Sequence, residues 1–144
     1  MLKLINSCDS IISLHRAEGF GLHLAEAMAF GKMVIATNWS GNVDFMNSEN
    51  SFPVNYDLVE IQEDHKHYKK GYHWANPCGD HAVVQMQNAY HCSKCQSSLI
   101  AKNAVKTTQT FLSSTRIGQK MFRRLRVIEE VNRLATLTTA ANQK

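Results

Sequence analysis

The amino-acid sequence predicts an α/β domain built on a parallel, doubly wound sheet, with helices closing the chain. Two short apolar runs, Ser10–His15 and Met33–Thr37, read as buried strands, each followed by a glycine-containing loop. Leu22–Phe30, rich in Ala, Leu and Met, reads as a helix between them. A strand, a helix and a second strand in that order favour parallel pairing, because the helix carries the chain back to the starting edge.

The other elements follow in order. Residues 1 to 8 read as the tail of a helix. Gly31 sits where a helix C′ glycine belongs. A short helical turn is expected near Val43–Met46, and a third strand over Phe52–Ile61 with Pro53 near its start. Residues 62 to 75 read as a polar surface loop. Asp80 is the expected N-cap of a helix reaching Cys92. A further helix is expected over 95 to 113. Ser114 or Thr115 caps a last helix to about Leu134, with Ile117, Met121, Leu125 and Ile128 at helical spacing. Arg123, Arg124, Arg126 and Arg133 fall mostly outside that stripe, and the last ten residues read as frayed.

Composition excludes several classes. The chain has 144 residues, 44% of them apolar and 19% charged, so it can bury a core. No apolar run reaches the roughly 18 to 20 residues of a membrane span. Asn6, Ser7 and Asp9 interrupt what would be a secretory apolar region. The four cysteines then read as reduced thiols in a cytoplasmic protein, with peripheral association at the inner membrane surface as a variant of that location. The net charge of +4 suits an anionic ligand. It is not a nucleic-acid signature, because no one surface is identified as gathering the cations. No nucleic-acid partner and no transmembrane segment are therefore expected.

Ligands of doubly wound folds bind beyond the carboxyl ends of the strands, which is where loops 16–21 and 38–42 should lie. The first leads through Arg16-Ala-Glu-Gly-Phe-Gly21 into the helix carrying Glu26. Gly19 and Gly21 allow close backbone approach, and the helix start offers free N–H groups and a positive dipole end to an anion such as a diphosphate. A carboxylate can accept hydrogen bonds from two sugar hydroxyls at once. Glu18 and Glu26 beside a diphosphate cradle point to a nucleotide sugar. The bland alternative is a tight turn with two solvated carboxylates.

Glu18-Gly-Phe-Gly-Leu…Glu26 resembles the E-x7-E motif of retaining, GT-B-type glycosyltransferases of family 4 (group 1). Cys8-Asp9, Ser13-Leu-His-Arg16, Ala25-Glu-Ala-Met28, Gly31-Lys32, Val34-Ile-Ala-Thr37, Trp39-Ser-Gly-Asn42, Asp44-Phe-Met46, Asn50-Ser51 and Tyr56-x-Leu-Val59 extend the likeness. It is dense from Cys8 to Val59 and thinner afterwards, through Trp74-Ala-x-Pro77, Ser114-x-Arg-Ile-Gly118 and Arg124-Leu125. The resemblance implies a partial Rossmann-like GT-B C-terminal domain over residues 1–113, with a C-terminal helix and tail over 114–144. It implies that Glu18 contacts the donor sugar near the reaction centre and is the catalytic candidate, though not a nucleophile. Gly19, Phe20, Gly21 and Leu22 would present amides to the donor, and Glu26 would hold the ribose hydroxyls.

The implied reaction moves a hexose, mannose being one candidate, from a nucleotide diphosphate sugar to a glycan or lipid-linked acceptor with retention, as in polysaccharide biosynthesis. No cofactor and no metal are expected. Arg16 and Thr37 are further candidates; Arg16 reads equally as a loop-supporting cation, and Thr37, Ser40 and Gly41 as turn-shaping residues. His15 reads as a packed residue. A fragment lacking its N-terminal acceptor domain is the expectation from three strands where about six are usual, and the isolated chain is expected to be inactive. The alternatives are a catalytically incompetent nucleotide-sugar-binding remnant, or a small zinc module from Cys78-x2-His81 and Cys92-x2-Cys95. The zinc reading is opposed by the intervening helix, about 18 Å long at 1.5 Å per residue.

Overall fold

A computed structural model describes residues 2–93 and 98–141. In chain order the elements are α1 (Leu2–Ser7), β1 (Ser10–Ser13), α2 (Leu22–Ala29), β2 (Met33–Thr37), a 3-10 turn (Gly41–Asp44), β3 (Phe52–Val54), β4 (Tyr56–Glu60), β5 (His73–Pro77), α3 (Gly79–Ser93), α4 (Leu99–Phe111) and α5 (Ser114–Ala141). The chain divides into two compact units, Met1–Gln109 and Thr110–Lys144.

The first unit is a mixed α/β structure of Rossmann-like type. Its central sheet has the order β1-β2-β3, all parallel, with Ile12 opposite Ile35 and Ala36 opposite Pro53. Every residue of β2 is buried, as a central strand covered on both faces requires. Met33 and Ile35 point to one face, where Phe52, Val54, Ala82 and Ala89 complete a cluster backed by Cys92, Ile100 and Ala101. Helices α3 and α4 therefore cover that side. Val34 and Ala36 point the other way, toward the face on which α2 buries Leu24, Ala25, Ala27 and Met28.

Helix α2 ends as its sequence predicts. Gly31 has φ +67; its N–H donates to Met28 O and the Lys32 N–H to Ala27 O. This double closure satisfies orphan carbonyls and favours glycine at the left-handed position.

Several expectations change. Strand β1 is an edge strand, not a buried one: among the described residues it has a single neighbour, and Ile12 and Leu14 remain 46% and 42% exposed. The expected strand over 52–61 breaks at Asn55, whose N–H donates to His81 Nδ1 and whose carbonyl accepts the Cys78 N–H. Beyond that break β4 leaves the parallel sheet and pairs antiparallel with β5. Part of the expected loop 62–75 is thus strand. Its pairing partner lies across a polar connection, and neither strand shows regular apolar alternation, so periodicity gave no signal.

The connection is itself ordered by Asp64, which accepts from the Lys70 N–H and Lys69 Nζ; these contacts hold its carboxyl below the usual carboxylate range. Helix α3 begins at Gly79, so Asp80 lies in its first turn instead of capping it. In the second unit α5 runs on to Ala141, past the expected end at Leu134.

Leu24 is fully buried and Leu22, two residues earlier, is 65% exposed. Leu24→Ala should cost about 2–5 kcal/mol of stability, and Leu22→Ala less than about 0.5 kcal/mol, by denaturant unfolding of the full chain.

Candidate donor site at the strand ends

Loops 16–21 and 38–42 leave the carboxyl ends of β1 and β2 and meet backbone to backbone. A Cβ built on Gly41 would fall 1.9 Å from Gly19 O and 3.0 Å from Phe20 Cα. Only glycine fits there. The Gly41 N–H donates to Glu18 O (3.2 Å), and Ser40 Oγ donates to the same carbonyl while accepting the Glu18 N–H (3.2 Å). The second loop therefore grips Glu18 by its main chain.

Ser40 adopts φ 79 and ψ −154, a conformation open mainly to glycine. Such backbone strain costs about 1–3 kcal/mol and persists only where the surroundings enforce it. Here the two hydroxyl bonds to Glu18 provide that enforcement.

Beneath the loops lies a polar hub. His15 Nε2 approaches Trp39 O (3.0 Å) and Asn42 Oδ1 (3.1 Å). The Asn42 amide is oriented by its Nδ2, which donates to Thr37 O at 3.0 Å. Both partners of Nε2 are acceptors, so Nε2 carries a proton, while Nδ1 meets Ser13 Oγ at 3.1 Å. His15 is accordingly a brace between β1 and the second loop. Asn42, 1% exposed, is a positioning residue that the sequence does not single out within loop 38–42. The signal available was its place after Ser-Gly at a strand end, where a side-chain amide can serve loop backbone.

Phe20 packs its ring 5.2 Å from Phe45, anchoring the tip of the first loop. Gly21, with φ 84 and ψ 46, caps α2, and its carbonyl accepts from Leu24 and Ala25. Among the described residues no acceptor engages the N–H groups of Leu22 and His23, which open the helix. The Gly21 N–H donates to Glu18 Oε1 at 3.1 Å. Glu18 is thus half-buried, held by main chain and by one carboxylate oxygen, leaving Oε2 for another donor. Glu26 lies one turn above Leu22 on the same helix face, half-buried, with no side-chain hydrogen bond among the described residues.

Arg16 and Thr37 are placed differently from these. The Arg16 guanidinium lies 5.0 Å from the Trp74 ring centre and donates to Asn76 Oδ1 at 3.3 Å, while its carbonyl accepts the Ala75 N–H. It ties the first loop to β5, and the Trp74 ring is in turn stacked on His65. Thr37 is fully buried, and its hydroxyl has no hydrogen-bond partner among the described residues.

Of the suggested zinc ligands, Cys78 and His81 stand at one end of α3 and Cys92 at the other. His81 is occupied by Asn55 and Gln85, and Cys92 packs on the core cluster. Cys95 lies outside the described residues. Among the described residues no group of three metal-capable side chains converges.

The site thus offers outward main-chain N–H groups at a helix start and two carboxylates, one on a loop fixed from below and one on the helix that follows it. An anion at the amides and hydroxyls at the carboxylates are its chemical complements.

Gly41→Ala should destabilise the full chain by about 2–3 kcal/mol or more, since backbone must move to admit the methyl group. Ser40→Gly should be less damaging than Ser40→Ala by about 1–2 kcal/mol. Both substitutions lose the hydroxyl bonds, but only glycine relieves the φ strain, and thermal melts compare the two directly.

No curated protein matches the chain. Residues 1–70, which hold β1, α2, β2 and both loops of the site, match the family model of glycosyl transferases, group 1.

Proposed function

We propose that this chain carries the donor-binding edge of a retaining glycosyltransferase of GT-B type, family 4. The observation that carries the reading is the pairing of Glu18 and Glu26 with the open N–H groups at the start of α2, inside the segment that matches the group 1 family model. The donor is a nucleotide diphosphate sugar. Its phosphates lie against the amides of Gly19, Phe20, Leu22 and His23, and the Gly21 amide joins them when the Glu18 carboxylate turns to the sugar. Glu26 takes the ribose hydroxyls.

The chemistry asked of these residues is electrostatic. Charge develops on the leaving diphosphate as the glycosidic bond breaks, and oriented N–H dipoles stabilise it without reorganising. Glu18 orients the sugar and acts as neither nucleophile nor metal ligand. The sugar is a hexose, with mannose a candidate, and the acceptor is a glycan or a lipid-linked glycan.

The free edge of β1 and the exposed Ile12 and Leu14 support a further part of the reading. In the working enzyme another segment, bearing the acceptor site and more of the sheet, covers this edge. Without that segment the chain binds donor but does not turn over.

Calorimetry of the full chain with GDP, UDP and their hexose conjugates tests the proposal. Glu26→Ala should weaken nucleotide diphosphate binding at least about tenfold, the worth of a charge-assisted hydrogen bond of about 1.5–3 kcal/mol. Glu18→Ala should weaken the nucleotide sugar more than the bare diphosphate. Failure of every nucleotide sugar to bind, or indifference to Glu26→Ala, overturns the reading. Turnover on adding the acceptor-bearing segment separates an enzyme half from a binding-only remnant.

A further inference from the structure

The β4–β5 hairpin stands apart from the parallel sheet, as a two-stranded sheet of its own. A lone two-stranded hairpin is marginally stable in water, so this one depends on what it touches. Ile61 and Ala75 are buried. The connection is closed by main-chain N–H groups, Ile61 donating to Tyr72 O, Gly71 to Ile61 O and His65 to Tyr68 O. Among the described residues the hairpin's ring contacts to other elements both go to the loops of the site. Tyr56 opens β4 with its ring 5.3 Å from that of Trp39 in the second loop. Trp74 in β5 has the Arg16 guanidinium of the first loop 5.0 Å from its ring centre. Beside it the Ala75 N–H donates to the Arg16 carbonyl at 2.9 Å. The Trp74 ring is itself held, stacked on His65 at 5.2 Å and met edge-on by Tyr68 at 5.9 Å.

We propose that this hairpin is a positioning element of the donor site, and that Trp74 is the positioning residue through which it aims Glu18 at the donor sugar. His15 is fixed from below by the polar hub, and Glu18 is held at its carbonyl and N–H by loop 38–42. The contacts to Arg16 set the path of the chain between them, and with it the direction in which the Glu18 side chain leaves. A group that must meet a hydroxyl has to be held to within about 0.5 Å, which takes supporting residues that are locked themselves. Glu26 does not share this support. It stands on α2, whose place is set by Leu24 and Met28 in the core. The hairpin therefore serves the sugar end of the donor more than the ribose end. β5 lies beyond residues 1–70, so the family match does not carry this role with it. The aim of Glu18 at a sugar rests on the donor reading above; the hold on the loop does not.

Amide exchange and calorimetry on the full chain test it. Trp74→Leu keeps an apolar side chain in the hairpin but removes the ring face that a cation prefers, a contact worth a factor of about two to five at an exposed site. Exchange at the Glu18 and Gly21 N–H groups, which donate to Ser40 Oγ and Glu18 Oε1, should quicken by about that factor. The amides of Val34 and Ala36 in β2 should not change. Trp74→Phe, which keeps a ring, should restore the slow exchange. Arg16→Met, at an exposed position, should reproduce the fast exchange with the hairpin intact. In calorimetry Trp74→Leu should weaken GDP-hexose or UDP-hexose about two- to fivefold and the bare diphosphate by less, and should add nothing once Glu18 is replaced by Ala. Three results overturn the proposal: unchanged exchange at Glu18 and Gly21 in both variants, equal acceleration in β2, and equal losses for nucleotide sugar and bare diphosphate. The last two are the marks of general destabilisation. A chain that binds no nucleotide sugar at all overturns the donor reading, and with it the aim at a sugar, while exchange still decides whether the hairpin holds the loop.

Discussion

The site depends on one backbone contact, the closure of loop 38–42 against loop 16–21. Gly41 sits so close to Gly19 O that no side chain can stand between them. The Gly41 amide and the Ser40 hydroxyl then take the Glu18 carbonyl. Everything of chemical interest hangs on that grip. It fixes the Glu18 main chain, brings the Glu18 carboxylate to the Gly21 amide, and leaves the first amides of α2 facing outward. The strain at Ser40 is the cost of this geometry, offset by the hydrogen bonds that Ser40 and Gly41 make to Glu18.

The grip rests on a buried polar layer that links the two strands below it. Asn42 is nearly inaccessible, yet its amide group serves Thr37 O on one side and His15 on the other. Leaving an amide so deeply buried unpaired is costly, and a paired set specifies one arrangement of the loops. The two loops thus behave as one rigid platform on the carboxyl edge of the sheet. Rigidity of this kind is what electrostatic stabilisation of a leaving group requires, because dipoles that must turn during the reaction lose most of their effect.

Burial is uneven across the first unit. Strand β2 is covered on both faces, whereas β1 shows apolar side chains and an unpaired edge. Sheets protect their edges because an open one invites pairing with another chain.

The amino-acid sequence is enough for the parts whose causes are local. The β-branched runs, the alternation of strand and helix, and the Gly31 closure of α2 all express preferences within one turn or one strand. The placing of Glu18 in the first loop and Glu26 one turn into α2 was equally legible, because both follow from the local strand-loop-helix order. Only the tertiary structure decided which strand was central and which lay at an edge, since Ile11-Ile12 and Val34-Ile35 look alike until neighbours are counted. It also decided that Arg16 reaches Trp74 and Asn76, some sixty residues away, and that Phe52–Ile61 divides between two sheets. The physical reason is the same in each case. Pairing and burial are properties of what lies opposite a residue, and what lies opposite Asn42, Ser40 or Arg16 comes from a distant part of the chain.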